Sequence, residues 1–323
     1  MSMAESDKEE VRSMLLHSGA VAVGFAVAEN VNERVMSHYM DWVEGGKHAD
    51  MDYLRRHIPL KRNPDSVLPG VATVISMAFS YAPRAFRSPE LPQIACYAYG
   101  YDYHDVIRKR LTTIVEQLKE KLGGDWRICI DSAPLAERYW ALKSGIGIRG
   151  LNGSVIVAGS GGYVFLAEIL STIVFPPDNP SHGECKKCGA CQEACPQNAL
   201  YIDGCVDSRR CLNYLTIEHR GEWQGEYALY MKTKAACQTL YGCDICLRVC
   251  PHNVGITPTN IPEFEPRSAI MTLRTEEIAQ LSQEQFSALF KGSPIKRAKL
   301  AGIMRNALNI ISSSVSSEGR ESL

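Results

Sequence analysis

The chain lacks an excess of charge of either sign. Its 35 Lys and Arg balance 36 Asp and Glu, for a formal net charge of −1. That excludes a surface coated in basic residues for indiscriminate nucleic-acid binding and leaves only local basic segments. Long apolar runs are also missing. The nearest candidates, 71–79 and 163–175, are broken by polar residues and fall short of the roughly 18–20 apolar residues of a membrane span. The first ten residues, MSMAESDKEE, carry neither an apolar signal core nor a twin-arginine pair, so a cytoplasmic protein is expected. A composition of 45% hydrophobic and 22% charged residues is ordinary for a globular chain and excludes wholesale disorder. The 323 residues suffice for one large domain or two of common size.

Cysteine, by contrast, is plentiful. Ten of the twelve cysteines lie between Cys185 and Cys250. A reducing compartment disfavours a disulfide framework, so metal ligation is the better explanation.

Three segments are expected. Residues 1–175 alternate strand and helix signals and read as an α/β domain. Apolar spacing predicts helices over 7–18, 42–54 (around Gly45-Gly46), 105–122 and 135–143. Strands are predicted over 21–27, 71–81 and 126–130, and 154–157 and 163–169 flank the glycines of 159–162 as a hairpin would. Pro176, Pro177 and Pro180 mark a boundary. Residues 176–256 are the cysteine-rich segment. Residues 257–323 read as mostly helical, with a disordered serine-rich tail after Ser312.

Cys185, Cys188, Cys191, Cys195 and Pro196 spell C-x2-C-x2-C-x3-C-P. In this arrangement three close thiolates wrap one [4Fe-4S] cluster, and the fourth ligates a second. Cys243, Cys246, Cys250 and Pro251 repeat the latter half, but Leu240 stands where another cysteine is needed. Cluster one would take Cys185, Cys188, Cys191 and Cys250. Cluster two would take Cys195, Cys243, Cys246 and one of Cys205, Cys211 or Cys237. Structural zinc is the alternative for paired C-x2-C units. The spacing thus points to one-electron transfer but to no substrate.

The other signals are weaker. Asp131 ends a strand before a helix, a place for an active residue in such folds or simply for a helix cap. Cys96 and Cys129 could be small buried residues. Gly145, Gly147 and Gly150 follow a helix rather than open one, unlike a dinucleotide loop. Tyr97, Tyr99, Tyr101 and Tyr103 alternate as on one face of a strand, with an aromatic wall for a flat cofactor as the other possibility. His104 and His219 have no metal-site spacing.

Several stretches stand out together: Tyr97-Ala-Tyr-Gly-Tyr-Asp-Tyr-His104, Asp131-Ser-Ala-Pro-Leu-Ala-Glu-Arg138, Gly145-Ile-Gly147 with Asn152, and the double cysteine motif. Cys211-Leu-Asn-Tyr-Leu-Thr-Ile-Glu-His-Arg-Gly221, Gly242-Cys-Asp-Ile-Cys246 and Gly292-Ser-Pro-Ile-Lys-Arg-Ala-Lys299 add to them. In these stretches the chain resembles the epoxyqueuosine reductases, which complete queuosine biosynthesis in tRNA. The resemblance implies an α+β protein, with a cobalamin-binding domain like that of reductive dehalogenases joined to a bacterial-ferredoxin-like module. It makes Cys211 the displaced ligand. It sets Cys96, Asp131, Asn152, Ser154, Val155 and Asp244 near the corrin and makes Asp131 the proton donor. No histidine lies in a cobalt-ligating pattern, so no protein lower axial ligand is expected. Two departures stand out. Leu151 replaces a lysine found in many relatives, and a C-terminal helical-repeat domain of many relatives has no counterpart here.

The implied reaction removes an epoxide oxygen as water, using two electrons and two protons. Clusters would pass electrons singly from a low-potential donor to cobalamin, with Asp131 protonating the opening epoxide. The alternatives are a reductive dehalogenase and a ferredoxin-like electron carrier. A monomer is expected. A basic run, KGSPIKRAKLAGIMR, holds Lys291, Lys296, Arg297, Lys299 and Arg305 without an acidic residue and is the expected tRNA contact. Its bland alternative is a solvated helix face.

Overall fold

Four apolar stretches pair into one antiparallel sheet in the computed structural model, which describes residues 3–318. The strands β1 (Ala22–Val27), β2 (Thr73–Ser80), β4 (Trp126–Cys129) and β7 (Val164–Ser171) lie in the order β1-β2-β7-β4. Side chains alternate between the faces. Phe25, Ile75, Met77, Phe79, Phe165 and Ile169 face the main core, which includes residues of the helices Met3–His17 and Tyr103–Leu122. Ala26, Val74, Cys129 and Leu170 face the opposite layer, which holds the fully buried Trp140 of helix Glu137–Lys143. Covered on both sides, β2 is buried at every position. Gly24 permits the approach of the second layer, because a Cβ there would lie 2.1 Å from the Ser144 carbonyl oxygen.

Three local expectations give way to tertiary contacts. The hairpin across 159–162 does not form. Strand β6 (Val155–Ile156) pairs instead with β5 (Ile148–Arg149), and β7 joins the large sheet. The glycine turn is shaped by the chain against it, for a Cβ at Gly161 would fall 2.0 Å from Asn253 Oδ1. The alternating tyrosines do not form a strand either. Cys96–Ala98 is a single helical turn, Gly100 packs its backbone on Glu263 and Phe264, and Asp102 caps a helix that opens at Tyr103. The helix expected over 42–54 is instead Glu33–Glu44, capped by Asn32 and stopped at Gly45. The serine tail continues the last helix, Lys299–Glu318, and its end, 319–323, lies outside the described residues.

The three segments share one core. Strand β3 (Gln93–Ile94) pairs in parallel with β8 (Thr239–Tyr241), joining the first segment to the cysteine-rich one. Leu240 is fully buried in the core that runs from Val11 to Ile310. Asn306 of the last helix clamps the Thr216 and Leu240 carbonyls at 2.8 and 2.9 Å. No described helix is long and apolar enough to cross a membrane.

One charged residue interrupts the sheet. Glu168, in the middle of β7, is fully buried opposite Ser76, and neither of its carboxyl oxygens has a hydrogen-bond partner among the described residues. Burial, with the charge of Glu137 adding to it, pushes its pKa well above the usual range. A carboxyl raised on folding contributes stability that is complete below its unfolded pKa of about 4.3 and is lost as pH climbs toward the folded value. Glu168→Gln removes this loss. Its Tm relative to the parent should therefore rise from pH 5 to pH 8, and a difference flat with pH would refute the assignment.

Candidate active site

Asp131 follows β4 with a left-handed backbone, φ 45°. The next helix begins at Glu137 with Ala136 as its N-cap, so Asp131 caps nothing. Its side chain is 58% exposed and therefore open to an incoming molecule. Oδ2 accepts the Tyr103 hydroxyl at 2.9 Å and lies 3.2 Å from His104 Nε2. On the other side of the imidazole, Nδ1 is 2.8 Å from Asp102 Oδ1. Helix capping builds this constellation: Asp102 accepts the His104 N–H and fixes Tyr103 and His104 as the first residues of the helix.

Desolvation pushes the Asp131 carboxyl up, but hydrogen bonds from His104 and Tyr103 and the His104 charge outweigh it and hold it below the ordinary carboxylate range. Burial pushes His104 down. The hydrogen bonds and charges of Asp102 and Asp131 prevail and lift it to about 9. At neutral pH the resting pair is carboxylate and imidazolium.

A wall of rings runs inward from this pair. Tyr103 stacks on Phe165 with ring centres 4.2 Å apart, Phe165 meets Tyr81 at 4.5 Å, and Tyr81 meets Tyr163 edge-on at 5.7 Å. Tyr97 joins at 6.3 Å from Tyr103. Two of the four alternating tyrosines thus belong to an aromatic wall, while Tyr99 is in the core and Tyr101 lies under Arg267. At the inner end the Tyr163 hydroxyl is buried without a hydrogen-bond partner among the described residues, close enough to Asp244, Cys96 and Cys246 to feel their charges. The Cys96 backbone N–H donates to Asp244 Oδ2 at 2.5 Å. Burial raises both the Cys96 thiol and the Asp244 carboxyl. Asn152 and Val155 are buried, and Asn152 accepts the Ser154 N–H at 3.1 Å. Ser154 borders Gly162, where a Cβ would strike Leu247.

The cysteines form two groups. Cys185, Cys188, Cys191 and Cys250 line one cleft together with Gly150, Asn152 and Ile156. Cys195, Cys211, Cys243 and Cys246 gather in a second group. Burial pushes the Cys243 thiol up to about 12, with the charges of Cys211, Asp244 and Cys195 adding to it, and the same neighbours act on Cys246. Cys205 belongs to neither, being set among Asp203, Arg149 and Lys47, and Cys237 points to the Met231 carbonyl at 3.8 Å. Each group offers the four thiolates of a [4Fe-4S] cluster. Asn152 borders the first group and Asp244 the second, so the inner end of the wall lies beside both.

The basic run divides. Lys291, Lys296, Arg297 and Lys299 are exposed, and Gly292 accepts the Asp102 N–H at 2.7 Å, which ties the run to the edge of the site. Arg297 is held by both Glu218 oxygens at 2.7 Å. Arg305 is not a surface contact. It is 8% exposed, donates to the carbonyls of Leu215, His219 and Gly221, and packs over Trp223. Five cations in a row hid this division because burial is decided by packing. The partners Tyr103, His104 and Glu137 also escaped sequence reasoning. A capping Asp102 at a helix start, and a lone acid in the apolar strand VFLAEILS, were the signals available.

Two four-thiol groups beside a wall that ends in a proton-bearing pair define an iron–sulfur oxidoreductase. Comparison with known proteins makes this particular. The family model described as Epoxyqueuosine reductase QueG, DUF1730 matches residues 61–132, and that of a 4Fe-4S double cluster binding domain matches 184–253. The epoxyqueuosine reductase of Cyclobacterium marinum is 33% identical over 310 residues, covering 95% of this chain and 97% of that protein. A solved epoxyqueuosine reductase with an epoxyqueuosine-modified tRNA-Tyr stem loop is 26% identical with a TM-score of 0.84, covering 96% of this chain and 82% of that one. The Bacillus subtilis enzyme, solved with its catalytic aspartate loop swung out of the active site, has the same identity, score and coverage. The chain belongs to the epoxyqueuosine reductase family.

Proposed function

We propose that this protein reduces epoxyqueuosine to queuosine at the wobble position of tRNA, removing the epoxide oxygen as water. The observation that carries this reading is the Asp102–His104–Asp131 chain, joined by one aromatic wall to both cysteine groups. The orphaned Tyr163 hydroxyl beside Cys96 and Asp244, with the Asn152–Val155 turn, suits the polar edge of a flat macrocycle such as cobalamin. When bound, the clusters and cobalamin would supply two electrons, gathered one at a time next to the substrate.

The chain's own residues supply the proton that opens the epoxide, and solvent supplies the second. Cleavage of the epoxide C–O bonds consumes two electrons and two protons and leaves an alkene and water. The His104 imidazolium is the charged donor in the resting site and touches Asp131 Oδ2. A proton moving along that hydrogen bond makes Asp131 the acid that protonates the opening oxygen. Tyr103 holds the same oxygen and orients it. The swung-out loop of the Bacillus subtilis enzyme supports a loop that admits substrate before engaging it. A low-potential one-electron donor would meet the first cysteine group, where Cys188 is exposed. With tRNA as substrate the protein acts in the cytoplasm, as a monomer.

Anaerobic protein loaded with iron, sulfide and cobalamin, given a chemical reductant and an epoxyqueuosine-bearing stem loop, should yield the nucleoside lighter by one oxygen atom. Unchanged nucleoside with fully loaded, reduced protein would refute the reading. The exposed part of the basic run is the proposed phosphate contact. Lys291→Ala, Lys296→Ala and Lys299→Ala together should raise KM for tRNA and flatten its salt dependence by ~2–3 units of slope. Unaltered affinity across a salt series would return the run to an ordinary solvated surface.

A further inference from the structure

Behind the Asp131 loop stands a carboxyl pair that this chemistry does not yet use. Glu137, half-buried at the start of its helix, accepts the Asp131 backbone N–H on Oε1 at 2.5 Å. Lys61 grips the far side of the same loop, donating to the Leu135 carbonyl at 2.6 Å. Glu168 is fully buried, with no hydrogen-bond partner on either carboxyl oxygen among the described residues, on the sheet face that this helix covers. Asp131 itself has a left-handed backbone, which a non-glycine residue keeps only when its surroundings hold it.

We propose that Glu137 is a positioning residue for the reaction: its carboxylate latches the Asp131 loop through the backbone N–H, and Glu168 beneath it stays a neutral acid so that the charge of the pair rests on Glu137. Two like charges in a dry layer do not both ionise. Burial lifts Glu137 to about 7, the Asp131 charge adding to it, and lifts Glu168 well beyond that. Glu168 is therefore the partner that keeps its proton. The groups facing Glu137 are Asp131, Lys61, Arg138, Glu168, Tyr103 and Cys129. Those facing Asp131 are His104, Tyr103 and Arg138, with Glu137, Asp102, Lys61, Arg297, Tyr53 and Tyr97 around them.

The charge on Glu137 has a second consequence. His104, Tyr103 and Arg138 all draw the proton off Asp131, and the adjacent negative charge opposes them. Glu137 thus holds Asp131 in place and favours the protonated form that a general acid needs.

The inference rests on the proposed epoxide reduction, but its first test does not. In hydrogen–deuterium exchange on the purified full chain, the amides of 131–133 and 135–136 should exchange on the order of tenfold faster in Glu137→Ala. They should be unaltered in Glu137→Gln, whose amide oxygen still accepts the N–H. Unaltered exchange in Glu137→Ala would overturn the latch whatever the enzyme reduces. The second test is the pH profile of kcat on the stem loop. Glu137→Gln keeps the latch but loses the charge, so the limb where kcat falls with rising pH should move about one unit lower, with KM unchanged within about twofold. An unmoved limb would overturn the electrostatic role, and this arm stands even if Glu137→Ala does not fold. Accelerated exchange in Glu137→Ala, with a wild-type protein that reduces no epoxide, would overturn the function instead and leave the latch.

Discussion

Asp131→Asn should lose ~10²–10⁴-fold in turnover, the usual contribution of a general acid, while retaining both clusters and cobalamin. The amide keeps an oxygen that can accept the Tyr103 hydroxyl, so the loop should hold its place. It cannot carry a proton from His104 to substrate. Loss of the carboxylate also removes one of the two anions that lift His104 to about 9. The imidazole of the variant should therefore titrate at lower pH, which proton NMR of the apoprotein would read directly. Below the folded pKa of His104 the parent keeps its imidazolium, and the ion pair is lost as pH rises through about 9. Turnover near the parent's rate in the loaded variant would sink the assignment of Asp131 as acid.

Cys211→Ser should halve the iron, from about eight atoms per chain to about four, and abolish turnover, because electrons would have no second station. Cys205→Ser and Cys237→Ser should leave the iron unchanged. Cys211 gathers with Cys195, Cys243 and Cys246, whereas Cys205 and Cys237 point into other surroundings. Leu240 explains why the ligand is displaced. Its side chain is fully buried in the main core, and its backbone belongs to β8, paired with β3 and clamped by Asn306. A polar ligand there would be pulled out of a packed interior. Iron analysis after anaerobic reconstitution decides the matter, and a halved content in Cys237→Ser would show the fourth ligand to be that residue.

Much of this molecule was readable in one dimension. The helix Tyr103–Leu122 follows from apolar residues recurring on one face, and β1, β2 and β4 follow from short apolar runs bounded by turn residues. The cysteine spacing announced two clusters, because three thiolates close in sequence wrap one cubane while the fourth of the run reaches the other. Asp131 stood out at the end of a strand. What stayed hidden were pairings between distant residues. His104 meets Asp131 across 27 positions and Cys96 meets Asp244 across 148, and no local pattern encodes either distance. The same limit misread the tyrosines as a strand, since the pull of Glu263 and Phe264 on Gly100 is a long-range contact.

The sequence by itself determined the backbone periods and the cluster chemistry. Tertiary structure alone decided which cations face solvent, since Arg305 is buried against the segment from Leu215 to Trp223 while Lys296 and Lys299 are exposed. It also decided the protonation of the site. A carboxyl's charge depends on burial and on the donors around it, and those are properties of packing rather than of residue order.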